Sequence, residues 1–202
     1  MKMNRHIITL LLLICCICLE AQNTISIRDS YNAETTGDYS RALDVMIKLA
    51  TADANDEFYQ LRLGWLYYMM QDYASAFNHY QKSNTLVANL DAQLGMLNCH
   101  LALGKWNDAL ALAHNILKQY PQHTTVMSKA AYASYMKQDY KDAADYYQRV
   151  LKINQWDMDT LGYLVANLYL SNQLTEAKQH FQKLKKYYPA SAIITDYGKY
   201  LN

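Results

Sequence analysis

Between Glu57 and Leu90 the chain carries two helical patterns separated by one polar break. Gly64 and Tyr67 stand a turn apart in the first pattern, and after Gln71-Asp72 the second runs through Tyr73, Ala76 and Tyr80. Small and large residues recurring at this interval predict two helices packed as a hairpin. A single hairpin cannot bury its apolar face alone, so the pattern calls for neighbours of the same kind. No stretch alternates Val, Ile and Thr as a strand would, and the chain holds only two prolines and six glycines. The expected class is all-α.

The neighbours are present. Aligning on the small residue of the second helix gives Ala42, Ala76, Ala109, Ala143 and Ala177, at spacings of 34, 33, 34 and 34. Three residues before each stands Tyr39, Tyr73, Trp106, Tyr140 or Leu174, and two before that a turn residue, Gly37, Gln71, Gly104, Gln138 or Asn172. Four residues after each alanine come Met46, Tyr80, Ala113, Tyr147 and Phe181, while Pro121 and Pro189 fall where the second helix should end. Asp38, Asp72 and Asp139 stand just before second helices, where a carboxylate can accept backbone N–H bonds.

This register resembles the tetratricopeptide repeat family, whose unit is a helix-turn-helix with a Leu-Gly and Tyr in the first helix and Ala, an aromatic and a closing Pro in the second. Only Gly64 keeps the first-helix glycine; Ser30, Leu97, Ala131 and Val165 replace it elsewhere. The resemblance implies a right-handed superhelical solenoid over residues 22–202, with units at about 23–56, 57–89, 90–123, 124–157 and 158–190 and a closing helix at 191–201. The polar, weakly periodic first helix makes the first unit the least regular.

Residues 1–21 change the picture of where the chain works. Lys2 and Arg5 precede a thirteen-residue apolar run, Ile7 to Leu19, with a cleavage point expected after Ala21. This reads as a secretory signal. Thirteen residues reach about 20 Å as helix, short of a bilayer core of roughly 30 Å, and no later stretch is apolar enough for an integral membrane span. Export is expected, to a periplasm in preference to the exterior. Removing the signal turns a net charge of +1 into formal neutrality, which leaves no footprint for nucleic acid. Cys15, Cys16 and Cys18 go with it, and Cys99 alone has no disulfide partner. Cys16 also admits a lipid anchor as the alternative to cleavage.

Chemistry is scarce. The histidines His6, His79, His100, His114, His123 and His180 include no pair spaced as in a zinc protease. Cys99 reads as a buried apolar residue, and Lys178, Lys183, Lys185 and Lys186 as a solvated helix end. No catalytic residue, metal or cofactor is expected, and the chain is not read as an enzyme.

The 19 tyrosines carry the functional reading. Tyr39, Tyr67, Tyr73, Tyr80, Tyr140 and Tyr147 occupy packing positions. In the family that the chain resembles, first helices line a concave face. Here the resemblance places on that face Tyr31; Phe58, Leu61, Trp65, Tyr68 and Met69; Leu94, Asn98 and Leu101; Tyr132, Tyr135 and Met136; and Tyr169. None is charged, which departs from the Lys- and Asn-lined carboxylate clamp of some relatives. Such a trough suits an apolar or aromatic peptide or helix of a protein partner. The alternative is a structural or lipid-anchored accessory subunit of an envelope assembly, contacting partners through its convex face or ends.

Overall fold

The computed structural model describes residues 25–202. The expected signal segment, its cleavage point after Ala21 and Cys16 lie outside the described residues. Eleven helices follow one another, and the described residues hold no strand. They are α1 (Ile27–Thr35), α2 (Tyr39–Ala52), α3 (Glu57–Met69), α4 (Tyr73–Leu86), α5 (Leu90–Ala102), α6 (Trp106–Gln119), α7 (Thr124–Met136), α8 (Tyr140–Ile153), α9 (Met158–Leu170), α10 (Leu174–Tyr187) and α11 (Ala192–Leu201). Each packs on its successor, and α3 also meets α5, α5 meets α7 and α9 meets α11. The odd-numbered helices therefore form an inner row, the arrangement of a helical solenoid. Helices of nine to fourteen residues are marginal alone in water. Their stability comes from the stripe each buries on its neighbours.

The alanine register explains how closely they approach. Ala42, Ala76, Ala109, Ala143 and Ala177 are all fully buried. With only a methyl group there, the second helix lies directly on the first. Ala33 and Ser30 are buried on α1, so the irregular first unit is packed like the rest.

The turns inside the hairpins follow one geometry. Gly37, Gln71, Gly104, Gln138 and Asn172 all have positive φ, between 62° and 75°. In each, the residue after the turn donates its N–H back across the helix end, as Asp38 does to Ala33 O at 2.9 Å and Asp139 to Ser134 O at 2.9 Å. This is the left-handed helix stop that glycine adopts without a Cβ penalty. Three units place an amide side chain there instead. Gln138→Gly is expected to raise stability by about 1 kcal/mol, the left-handed penalty of an L residue offset in part by glycine's entropy. Urea midpoints of the two proteins at equal m-value test this.

Asp38 and Asp72 cap their helices as expected, accepting from Arg41 N–H and Ser75 N–H at 3.0 Å each. Asp139 does not. Its carboxylate pairs with Lys137 Nζ at 2.9 Å, so the equivalent α8 start has no side-chain cap. First helices have caps of their own: Asp56, Asn89 and Asp157 accept from Tyr59, Ala92 and Thr160 N–H.

Candidate partner-binding groove

The concave candidates lie on the inner row, and the structure divides them. Phe58, Met69, Tyr132, Tyr135 and Met136 are exposed, and Asn98 is half-buried. Leu61, Trp65, Tyr68, Leu94, Leu101 and Tyr169 are half-buried against the core clusters. The second group therefore has a share in holding the fold. The residues assigned to packing are also mixed: Tyr80 and Tyr147 are buried, while Tyr39, Tyr67, Tyr73 and Tyr140 keep partial access.

What joins the two groups is ring contact. Tyr39 meets Trp65 edge-on at 5.9 Å, Tyr68 meets Tyr73 at 5.2 Å, Trp106 meets Tyr132 at 5.9 Å and Tyr135 meets Tyr140 at 5.7 Å. The aromatic residue that opens each of the first four second helices thus braces a ring of its own unit's first helix or of the next unit's. Tyr169 goes further and is covered by Tyr197 and Tyr200 of α11, at 5.1 and 5.3 Å. The closing helix takes the place of a further first helix.

At the N-terminal end the expectation of an uncharged trough is corrected. Arg62 lies 4.7 Å from the ring centroids of both Tyr31 and Trp65 and pairs with Glu34. Glu34 and Arg62 were missed because they lie on neighbouring units, and only the stacking of α1 on α3 through α2 brings them together. At the C-terminal end α7, α8, α9 and α11 line a pocket of about 510 Å³. Of the expected residues it contains Tyr132 and Tyr135, to which the fold adds Tyr147, Tyr163, Asn167, Asp196 and Tyr197. Burial pushes the Tyr147 hydroxyl up to about 12. Burial also raises Tyr197, followed by Tyr135 and Asp196 among its neighbours.

Cys99 is fully buried, and desolvation pushes its thiol up to about 12, far from a reactive thiolate. Among the described residues no three His, Cys, Asp or Glu side chains gather as metal ligands. Two of the four lysines of α10 turn to local partners: Lys183 donates to Gln155 O at 3.2 Å and Lys185 to Asn202 Oδ1 at 2.8 Å. His79 stacks on Tyr67 at 5.2 Å and donates from Nδ1 to Gln60 Oε1 at 2.9 Å.

Burial lowers the pKa of His79, His100 and His180 below 6.5. Their neutral rings contribute stability that is complete above pH 6.5 and is lost as pH falls through the lowered folded values, because the unfolded chain takes up the protons first. Stability is expected to fall as pH drops from 6.5 through those lowered values. His79→Gln should flatten that dependence in paired urea titrations, and an unchanged slope would remove His79 from the account.

Comparison with known proteins agrees with the fold. A structure of MamA residues 41 to the end from Desulfovibrio magneticus is similar with a TM-score of 0.71 at 16% identity, covering 81% of this chain and 93% of that one. A tetratricopeptide repeat protein from Parabacteroides merdae gives a TM-score of 0.73 at 16% identity, covering 81% and 65%. YrrB, described as a tetratricopeptide repeat protein with an unusual peptide-binding site, gives 0.71 at 13% identity, covering 84% and 88%. No curated protein matches the sequence. Sequence models of the tetratricopeptide repeat match residues 97–157 in one form and residues 59–83 and 160–191 in another. Those matches span more than half of the 202 residues and fall on the hairpins described above, and the chain belongs to the tetratricopeptide repeat family.

Proposed function

We propose that this chain is a non-catalytic protein-interaction scaffold of the cell envelope, exported and periplasmic, that binds an apolar or aromatic peptide or helix on its concave face. The observation that carries the reading is the row of exposed Phe58, Met69, Tyr132, Tyr135 and Met136 along first helices. Exposed aromatic and methionine side chains with braced neighbours offer contact area at little cost in side-chain ordering. The shared fold of YrrB, whose description names a peptide-binding site, supports a groove of this kind. No helix among the described residues is long and apolar enough to cross a membrane.

A second reading rests on Trp156 and Tyr187, exposed rings that meet edge-on at 5.4 Å outside the groove. They suit a structural subunit that contacts its assembly elsewhere than on the concave face. Phe58→Ser with Tyr132→Ser tests the choice, since both side chains are exposed and the helices should persist by circular dichroism. Capture of envelope partners should fall about tenfold or more, as loss of aromatic anchors predicts. Capture unchanged in that variant but lost in Trp156→Ser would move the site to the second surface. The intact mass of the exported chain reads its processing: a start at Gln22 supports a soluble periplasmic form, and a diacylated Cys16 a tethered one.

A further inference from the structure

The pocket lined by α7, α8, α9 and α11 differs from the rest of the groove in its chemistry. Five tyrosines line it, Tyr132, Tyr135, Tyr147, Tyr163 and Tyr197, and Asp196 is the one charged residue among the lining set. Each ring is held by another aromatic: Tyr132 by Trp106, Tyr135 by Tyr140, Tyr197 by Tyr169, and Tyr147 and Tyr163 by one another at 5.5 Å. The walls are thus set before any ligand arrives. Asn167, also on the lining, is 3% exposed, and its Oδ1 has no hydrogen-bond partner, although its Nδ2 donates to Tyr163 O at 2.8 Å.

We propose that this pocket receives a cationic side chain, lysine or arginine, from the segment bound in the groove. The inference rests on the groove reading above and adds a chemical preference to it. Tyrosine attracts a cation by both of its surfaces, the negative π face and the hydroxyl oxygen. Asp196 supplies the opposite charge, and Asn167 Oδ1 is an acceptor that lacks a donor. An acidic side chain would meet Asp196 and the ring faces with like sign. An apolar one would cover the exposed Asp196 carboxylate without giving it a partner, which is costly, and would leave Asn167 Oδ1 unpaired as it is now. The volume of about 510 Å³ falls within the roughly 300–1,000 Å³ of small-ligand sites, enough for a long side chain with its adjoining backbone. The preference is the reverse of the carboxylate grip that the sequence already argued against.

A random-sequence peptide array probed with the full exported chain and with Asp196→Asn tests this. Asp196 is exposed, and its replacement by an isosteric amide should leave the fold intact. The wild-type chain should retain peptides enriched in Lys and Arg over Asp and Glu, and Asp196→Asn should reduce that enrichment by about tenfold, as expected for loss of a charge-assisted contact. Peptides retained without cationic enrichment, or an enrichment unaltered in Asp196→Asn, would overturn the proposal and leave the groove reading standing. Retention of no peptide at all would overturn both.

Discussion

Gly95→Ala is expected to destabilise the chain by about 2–3 kcal/mol, although alanine is the better helix former by about 1 kcal/mol. The reason is the Tyr80 ring. A Cβ on Gly95 would lie 2.5 Å from the Cε1 and Cζ atoms of Tyr80, and one on Gly64 would lie 2.7 Å from its Cδ1. Tyr80 comes from α4, Gly64 from α3 and Gly95 from α5. The ring is buried and fills the space between the two glycines, so it cannot retreat from one without striking the other. Overpacking therefore outweighs propensity. Urea unfolding of Gly95→Ala, Tyr80→Leu and the double variant measures it. The double variant should be more stable than the two single losses added, because the smaller side chain removes the clash. A Gly95→Ala protein more stable than wild type would show that propensity wins and that the ring can move.

That contact also shows what the sequence makes legible and what it hides. The period, the alanine positions and the turn residues follow from spacing, because each answers to a constraint within one hairpin. Gly64 was visible for the same reason. Gly95 was not, since the equivalent positions carry Arg28, Arg62, Lys129 and Tyr163, and only the size of Tyr80 in the preceding unit requires glycine there. Volume is exchanged between units: Tyr80 stands against two glycines, whereas the matching position one unit later is Ala113, with Leu97 in its own first helix. The groove obeys the same division. Tyr132 and Tyr135 were legible as inner positions of one helix. Tyr163, Asn167, Asp196 and Tyr197 join them only because Tyr147 and Tyr163 pack together and α11 closes the end. Asp139 failed as a cap for a comparably local reason, a lysine two residues away that takes its carboxylate.

Phe181→Ala should cost about 3–5 kcal/mol and act on the groove as well as on stability. Phe181 is the largest fully buried side chain and belongs to the core cluster that also holds Leu164, Val165, Leu168 and Leu201. A Cβ on Gly198 of α11 would lie 3.9 Å from its Cζ, so the ring reaches the closing helix at van der Waals distance. Truncation opens a cavity where α9, α10 and α11 meet, and the neighbours cannot fill it without moving helices. In a solenoid each element is held by its nearest neighbours, so the loss is concentrated at the end and not shared by the whole chain. Among the described residues α11 packs chiefly on α9 and α10. It should detach before the first four hairpins unfold, and with it go Ile193, Asp196 and Tyr197, one wall of the tyrosine pocket. Hydrogen exchange should then show the amides of 192–201 losing protection while those of α3 and α4 keep theirs. Cationic peptides should bind more weakly to Phe181→Ala even where circular dichroism stays near wild type. Uniform loss of protection along the chain would show instead that the solenoid unfolds as one unit, and that the closing helix is not a separable wall of the site.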